Sequence, residues 1–193
     1  MGLRFETAVP KVRDEKAFLC KGPLFASLQA LAIAKAGSVA REHPDALVLG
    51  ADTVVVLGKK VLGKPRNRGD ARAMITLLSG KAHHVLTAVA LLCGECAFSA
   101  SAVAKTLVVF RAIPNHELEG YLASGDWRDK AGAYAIQGKA MAFVDRIEGC
   151  FYNVIGLPVR RTIDCFTKYA SLHGASLNDA PLKGAFRKDN VHG

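Results

Sequence analysis

Asp52 interrupts an apolar run, Ala46–Leu57, with Leu47-Val48-Leu49 before it and Val54-Val55-Val56-Leu57 after it. Aspartate is disfavoured in a strand, and a buried unpaired carboxylate is costly, so the position calls for a metal ion or a lysine. A turn-former at a bulge, which Gly50 would permit, is the plainer alternative. Lys64 stands between Gly63 and Pro65, on a stiff non-helical backbone from which an ammonium can reach a phosphate. A solvated loop lysine has the same signature. Lys35 lies among Leu31-Ala32-Ile33-Ala34 and Ala36 and faces either solvent or a pocket. Asp14-Glu15 is an acidic pair within a basic stretch of Lys11, Arg13 and Lys16; paired carboxylates hold Mg²⁺, and they also decorate surfaces.

Two further stretches carry candidates. Asp129-Lys130-Ala131-Gly132-Ala133-Tyr134 and Ile136-Gln137-Gly138 are rich in small residues, which let a ligand approach the backbone or simply form a loop. His83 and His84 point to opposite faces of an extended chain and so do not make one metal site. Cys93-Gly94-Glu95-Cys96 is a lone CxxC pair among five cysteines. Their odd number and irregular spacing describe neither a zinc site nor a disulfide framework, so reduced thiols are expected. Singly these signals are weak; their combination is not.

The elements that must position them follow from periodicity. Arg4–Val9 alternates as a strand, Leu24–Arg41 has apolar residues at helical spacing, and Ala46–Leu57 and Val61-Leu62 read as strands. A helix is predicted over Gly69–Leu78, stopped by Gly80, followed by strands at His84–Leu92 and Ala97–Phe110. Asn115 is predicted to cap a helix running through Leu122 and ending at Gly125. Ala140–Ile147 reads as a strand, and Pro158 as the first residue of a helix. Strands and helices mix without strict βαβ alternation, so the expected class is α/β, a mixed sheet flanked by helices. Residues 1–170 are expected to form one domain, with 171–193 a polar, flexible tail.

Composition narrows the function. The chain has 193 residues, half of them hydrophobic, a globular composition with room for a real core. No apolar run reaches the roughly 18 residues of a membrane span, and Arg4, Glu6 and Lys11 interrupt any signal-peptide core. A cytoplasmic protein without a membrane partner is expected. The net charge of +9 attracts polyanions. Its lysines and arginines are dispersed and lack interleaved aromatic residues, which favours a nucleotide over nucleic acid.

In order along the chain, Gly50-Ala51-Asp52-Thr53-Val54-Val55-Val56-Leu57, Leu62-Gly63-Lys64-Pro65, Leu78-Ser79-Gly80, Phe110-Arg111, Asp129–Tyr134, Ile136-Gln137-Gly138, Ile147-Glu148-Gly149 and Gly156-Leu157-Pro158 resemble the Maf family of nucleotide pyrophosphatases. The resemblance covers about Leu3 to Tyr169. It implies a two-lobed α/β fold around a cleft, shared with the inosine triphosphate pyrophosphatases, in a homodimer. It also implies hydrolysis between the α- and β-phosphates with a divalent cation, Mg²⁺ or Mn²⁺. Asp52 matches the catalytic acidic residue, Glu15 an acidic position at the metal, and Lys35 and Lys64 lysines of the phosphate cleft. Thr53 and Gln137 match positions tied to base choice, in the pattern of the dTTP/UTP branch. A glutamine amide can accept from pyrimidine N3–H and donate to O4; rotated, it suits cytosine, so the base assignment rests on the family pattern.

There is one departure. Family members open with a strand and a Ser-Pro-Arg-Arg segment, whereas this chain opens at Met1-Gly2-Leu3-Arg4-Phe5-Glu6, which resembles the stretch after that segment. A start codon placed too far downstream is expected, with a shortened, weakly active or non-catalytic form as the alternative. Two other functions stay open: an inosine or xanthosine triphosphate pyrophosphatase, and a nucleotide-binding regulator of cell division.

Overall fold

A computed structural model describes residues 5–19, 22–174 and 182–185. Seven strands form one mixed sheet in the order β1-β7-β2-β4-β5-β6, with β3 attached to β2. They are β1 (Phe5–Ala8), β2 (Leu47–Leu57), β3 (Lys60–Leu62), β4 (Ala82–Cys93), β5 (Phe98–Phe110), β6 (Val144–Glu148) and β7 (Leu182–Ala185). Strands β1 and β2 both pair in parallel with β7, whereas β2–β3 and β5–β6 are antiparallel. The helices are α1 (Glu15–Leu19), α2 (Leu24–Ala40), α3 (Arg68–Leu78), α4 (Asn115–Ser124), α5 (Phe151–Ile155) and α6 (Val159–His173). The α/β class and the helix-flanked mixed sheet agree with the sequence reading.

The chain divides into two compact units, one of residues 1–52, 87–104 and 157–193, the other of residues 53–86 and 105–156. In the first, α2 buries Leu28, Leu31, Ala32, Ala36 and Val39, a stripe at intervals of three and four that one helical face requires. A second cluster joins Leu47, Val89, Leu91, Phe98, Phe166, Tyr169 and Leu182. In the other unit, Val55, Ile75, Leu78, Val85, Phe110, Tyr134 and Phe143 share one core. There Asn67 caps α3, its side chain accepting from the Asp70 amide at 2.9 Å. A buried polar knot closes the same unit: Asn153 Nδ2 donates to Val85 O and to Thr106 Oγ1, each at 3.0 Å.

Several elements differ from expectation. Asn115 opens α4 from inside, with Pro114 at the capping position and no side-chain cap bond, because proline fixes the entering backbone. Lys139–Phe143 is a 3-10 turn, so the strand expected over Ala140–Ile147 begins only at Val144. Helix α6 continues to His173, past the predicted start of the tail, and Leu182–Ala185 is a strand; the remainder of 171–193 lies outside the described residues. Cys93 and Cys96, expected as free thiols, form a disulfide, since the Gly94-Glu95 turn brings their Cα atoms to 5.4 Å. Among the described residues, no helix is long and apolar enough to cross a membrane.

Candidate active site

Lys35 falls on the buried stripe of α2, four residues after Leu31 and four before Val39. Its side chain is only 9% exposed, and its ammonium is met by two carboxylates, Asp52 Oδ1 and, at 3.3 Å, Glu15 Oε2. Asp52 and Glu15 retain more access to water, at 15% and 28% exposure. The charge that Asp52 places inside a strand is thus balanced by a lysine. Strand β2 runs through Asp52, which lies between Ala51 and Thr53 within it.

Gly50 makes this meeting possible. A Cβ there would lie 2.9 Å from Ala32 O and 3.0 Å from Ala36 N, inside the backbone of α2. The helix therefore rests directly on β2, and Lys35, just beyond Ala32, arrives beside Asp52, just beyond Gly50. Sequence reasoning missed this role, because a bulge and a close approach both select glycine. Ser38 was missed as well. Its hydroxyl donates to Lys35 O at 2.8 Å and accepts from the Lys11 amide at 3.0 Å, tying the segment before α1 to α2. At the start of α1, Asp14 Oδ1 accepts from the Ala17 amide at 3.2 Å, so the acidic pair divides into a turn-forming Asp14 and a lysine-facing Glu15.

Thr53, Lys64 and Gln137 belong to the other unit. Thr53 continues β2 and is partly buried; a methyl built at Gly156 would sit 3.4 Å from its Oγ1. Lys64 and Gln137 are exposed on two loops that are joined, since the Gly132 amide donates to Gly63 O at 3.0 Å. Gly132 has φ 67°, and a Cβ there would fall 2.8 Å from Val55 Cγ2. The loop preceding Gln137 is therefore seated on β2. Below it, Tyr121 Oη donates to Ala133 O at 3.0 Å, and Tyr134 Oη meets His83 Nε2 at 2.9 Å. Burial holds the Tyr134 phenol above its ordinary range and pushes the His83 imidazole down to about 4, so both are neutral core groups.

Chemically, the first unit offers two carboxylates and an ammonium. Hard oxygen donors suit Mg²⁺ or Mn²⁺, which typically take one or two carboxylates and complete their shell with phosphate and water. Among the described residues, no group of three or more Asp, Glu, His or Cys forms a protein-only cage. Glu15 and Asp52 together supply carboxylate oxygens of the kind such a cation takes.

The sequence signature of the Maf-like protein family matches residues 1–169. The chain belongs to the Maf family. It is 43% identical over 169 residues to a dTTP/UTP pyrophosphatase of Symbiobacterium thermophilum, covering 88% of this chain and 85% of the relative. It is 47% identical over 163 residues to a dTTP/UTP pyrophosphatase of a Geobacillus species, covering 83% and 84%. A third, from Pelotomaculum thermopropionicum, is 46% identical over 142 residues, 74% of each chain. The Maf-family match spans both units, so it includes Glu15, Lys35, Asp52, Thr53, Lys64 and Gln137.

Proposed function

We propose that the protein hydrolyses dTTP and UTP to the monophosphate and pyrophosphate. The observation that carries this reading is the Glu15–Lys35–Asp52 cluster, in a chain more than 40% identical to dTTP/UTP pyrophosphatases. Asp52 orients or deprotonates the water that attacks the α-phosphorus in line, and pyrophosphate leaves. In the resting protein Lys35 holds Asp52 in place; with substrate present its ammonium also neutralises charge developing on phosphate oxygens. Lys64, on its exposed loop, supplies a second cation to the phosphates. Glu15 and Asp52 would hold Mg²⁺ or Mn²⁺, which supplies charge neutralisation to the phosphate oxygens when bound. Thr53 and Gln137 select the base, the Gln137 amide accepting from pyrimidine N3–H and donating to O4. The proposal extends to a cytoplasmic homodimer that binds neither nucleic acid nor membrane, and sedimentation of the purified protein tests the stoichiometry.

Pyrophosphate release from dTTP, UTP, CTP, GTP and ITP tests the reaction. Release is expected to favour dTTP and UTP and to require an added divalent cation. Asp52→Asn, which keeps an acceptor for Lys35, is expected to lower turnover by a factor of about 10² to 10⁴ with the thermal melt preserved. Near-normal turnover in Asp52→Asn would sink the assignment. Preference for ITP would move the substrate to the inosine class.

A further inference from the structure

The β4–β5 turn carries a feature that phosphate hydrolysis does not use. Cys93 and Cys96 are covalently paired across it, and their environments are unequal. Cys93, 4% exposed, packs in the cluster of Leu91, Phe98 and Tyr169, whereas Cys96 is only partly buried. The Cys96 amide donates to Cys93 Sγ at 3.2 Å. Tyr169 Oη of α6 stands 3.8 Å from Cys96 Sγ, and its ring meets Phe98 at 5.2 Å and His173 at 4.7 Å. The turn itself is held by the Glu95 amide donating to Pro44 O at 2.9 Å and the Ala97 amide donating to Gly94 O at 3.2 Å.

We propose that Cys93 and Cys96 form a thiol–disulfide exchange site for a small-molecule thiol of the glutathione class, with Cys96 the attacked sulfur and Cys93 the leaving one. An incoming thiolate reaches the more accessible Cys96 Sγ and forms a mixed disulfide. The Cys93–Cys96 bond breaks, and its electron pair leaves on Cys93 Sγ, where the Cys96 amide already points a donor. A second small-molecule thiolate attacks the sulfur of the first, releasing the small-molecule disulfide and a Cys96 thiolate. Two external thiols are oxidised and the protein pair is reduced by two electrons; the reverse sequence, driven by the small-molecule disulfide, closes the pair again. Access and hydrogen bonding both impose the same direction, and Tyr169 places α6 in contact with the sulfur whose state changes. Cys165 is a control within the same unit: it is buried and its thiol is raised by burial, so it does not exchange.

The test uses the full chain, equilibrated across reduced-to-oxidised glutathione ratios, quenched in acid, denatured and labelled with a maleimide. Peptide mass spectrometry is expected to find Cys93 and Cys96 both labelled at the reducing limit and both unlabelled, joined to each other without a glutathionyl adduct, at the oxidising limit. Labels on both Cys93 and Cys96 at every ratio, or on neither at any ratio, would overturn the proposal without any variant being needed. Direction is read from two variants under oxidised glutathione in native buffer. Cys93→Ser is expected to gain one glutathionyl adduct on Cys96. Cys96→Ser is expected to modify Cys93 more slowly by a factor of about ten or more, as its burial dictates. Equal rates in the two variants would refute the assignment of attacked and leaving sulfurs.

Discussion

Burying the Lys35 ammonium is tolerable because two carboxylates meet it, and the arrangement works in both directions: without the lysine, Asp52 and Glu15 would face each other across a largely water-excluded site. Lys35→Met keeps the length of the side chain and removes the charge. Breaking a fully buried pair costs 3–5 kcal/mol; Asp52 and Glu15 retain some solvent, so a loss of about 1–3 kcal/mol in urea unfolding is expected. Combining it with Asp52→Asn should recover part of that loss, since the second change removes one of the stranded charges. Turnover should fall in both the single and the double variant. A Lys35→Met protein as stable as the parent would show that the three side chains do not act as a unit.

At the scale of elements, α2 lies closely on β2 at Gly50, and the loop before Gln137 lies on the same strand at Val55. Gly50→Ala forces a methyl into the α2 backbone at Ala32 and Ala36, so helix and strand must part by tenths of an ångström. Overpacking of this kind costs about 1–3 kcal/mol. It should also lower kcat beyond what the folded fraction explains, because Lys35 and Asp52 sit on the two separated elements. Gly132→Ala combines a left-handed backbone with a collision at Val55. Its expected signature differs: KM for dTTP and UTP rises and discrimination against CTP weakens, because the loop leading to Gln137 is displaced while Asp52 is not. A Gly132→Ala enzyme with the parent's KM values would separate that loop from base choice.

These two glycines also mark where the sequence was legible and where it was not. Asp52 announced itself by its charge in an apolar strand, and the α2 stripe, once counted, places Lys35 on the buried face. Gly50 and Gly132 carry no side chain to read, and their purpose lies in what would collide with them. Strand β7 was hidden for another reason. Four residues, one of them glycine, have little strand signal of their own, and Leu182 pairs with Phe5 and Leu47 from far along the chain. The disulfide was missed because counting cysteines cannot register a turn that brings two of them together.

For the whole molecule, the net charge of +9 and the dispersed basic residues bring a polyanionic substrate in, and stability against acid rests on a different group. His83 is 1% exposed in a core of aromatic rings, with Phe110 4.8 Å and Tyr134 5.5 Å away, centroid to centroid. Burial pushes its imidazole from 6.5 down to about 4. Between those values the unfolded chain binds a proton that the folded chain refuses. Stability is therefore full above pH about 6.5, falls as the pH drops, and stops falling on this account near pH 4. A displacement of this size corresponds to a loss of about 3 kcal/mol. Glu6, Glu42 and Glu117 are held below the usual carboxylate range by Lys183, Lys11 and Arg111, so their contributions are lost at lower pH still. His84 adds a smaller loss with the same sign. Urea midpoints measured from pH 8 to 4.5 should thus decline chiefly through His83. In His83→Gln, whose amide can keep a hydrogen bond to Tyr134 Oη, stability at pH 8 should be lower but the decline nearly flat. An unchanged slope in that variant would transfer the acid sensitivity to the carboxylates, whose titration would then have to begin well above their ordinary range.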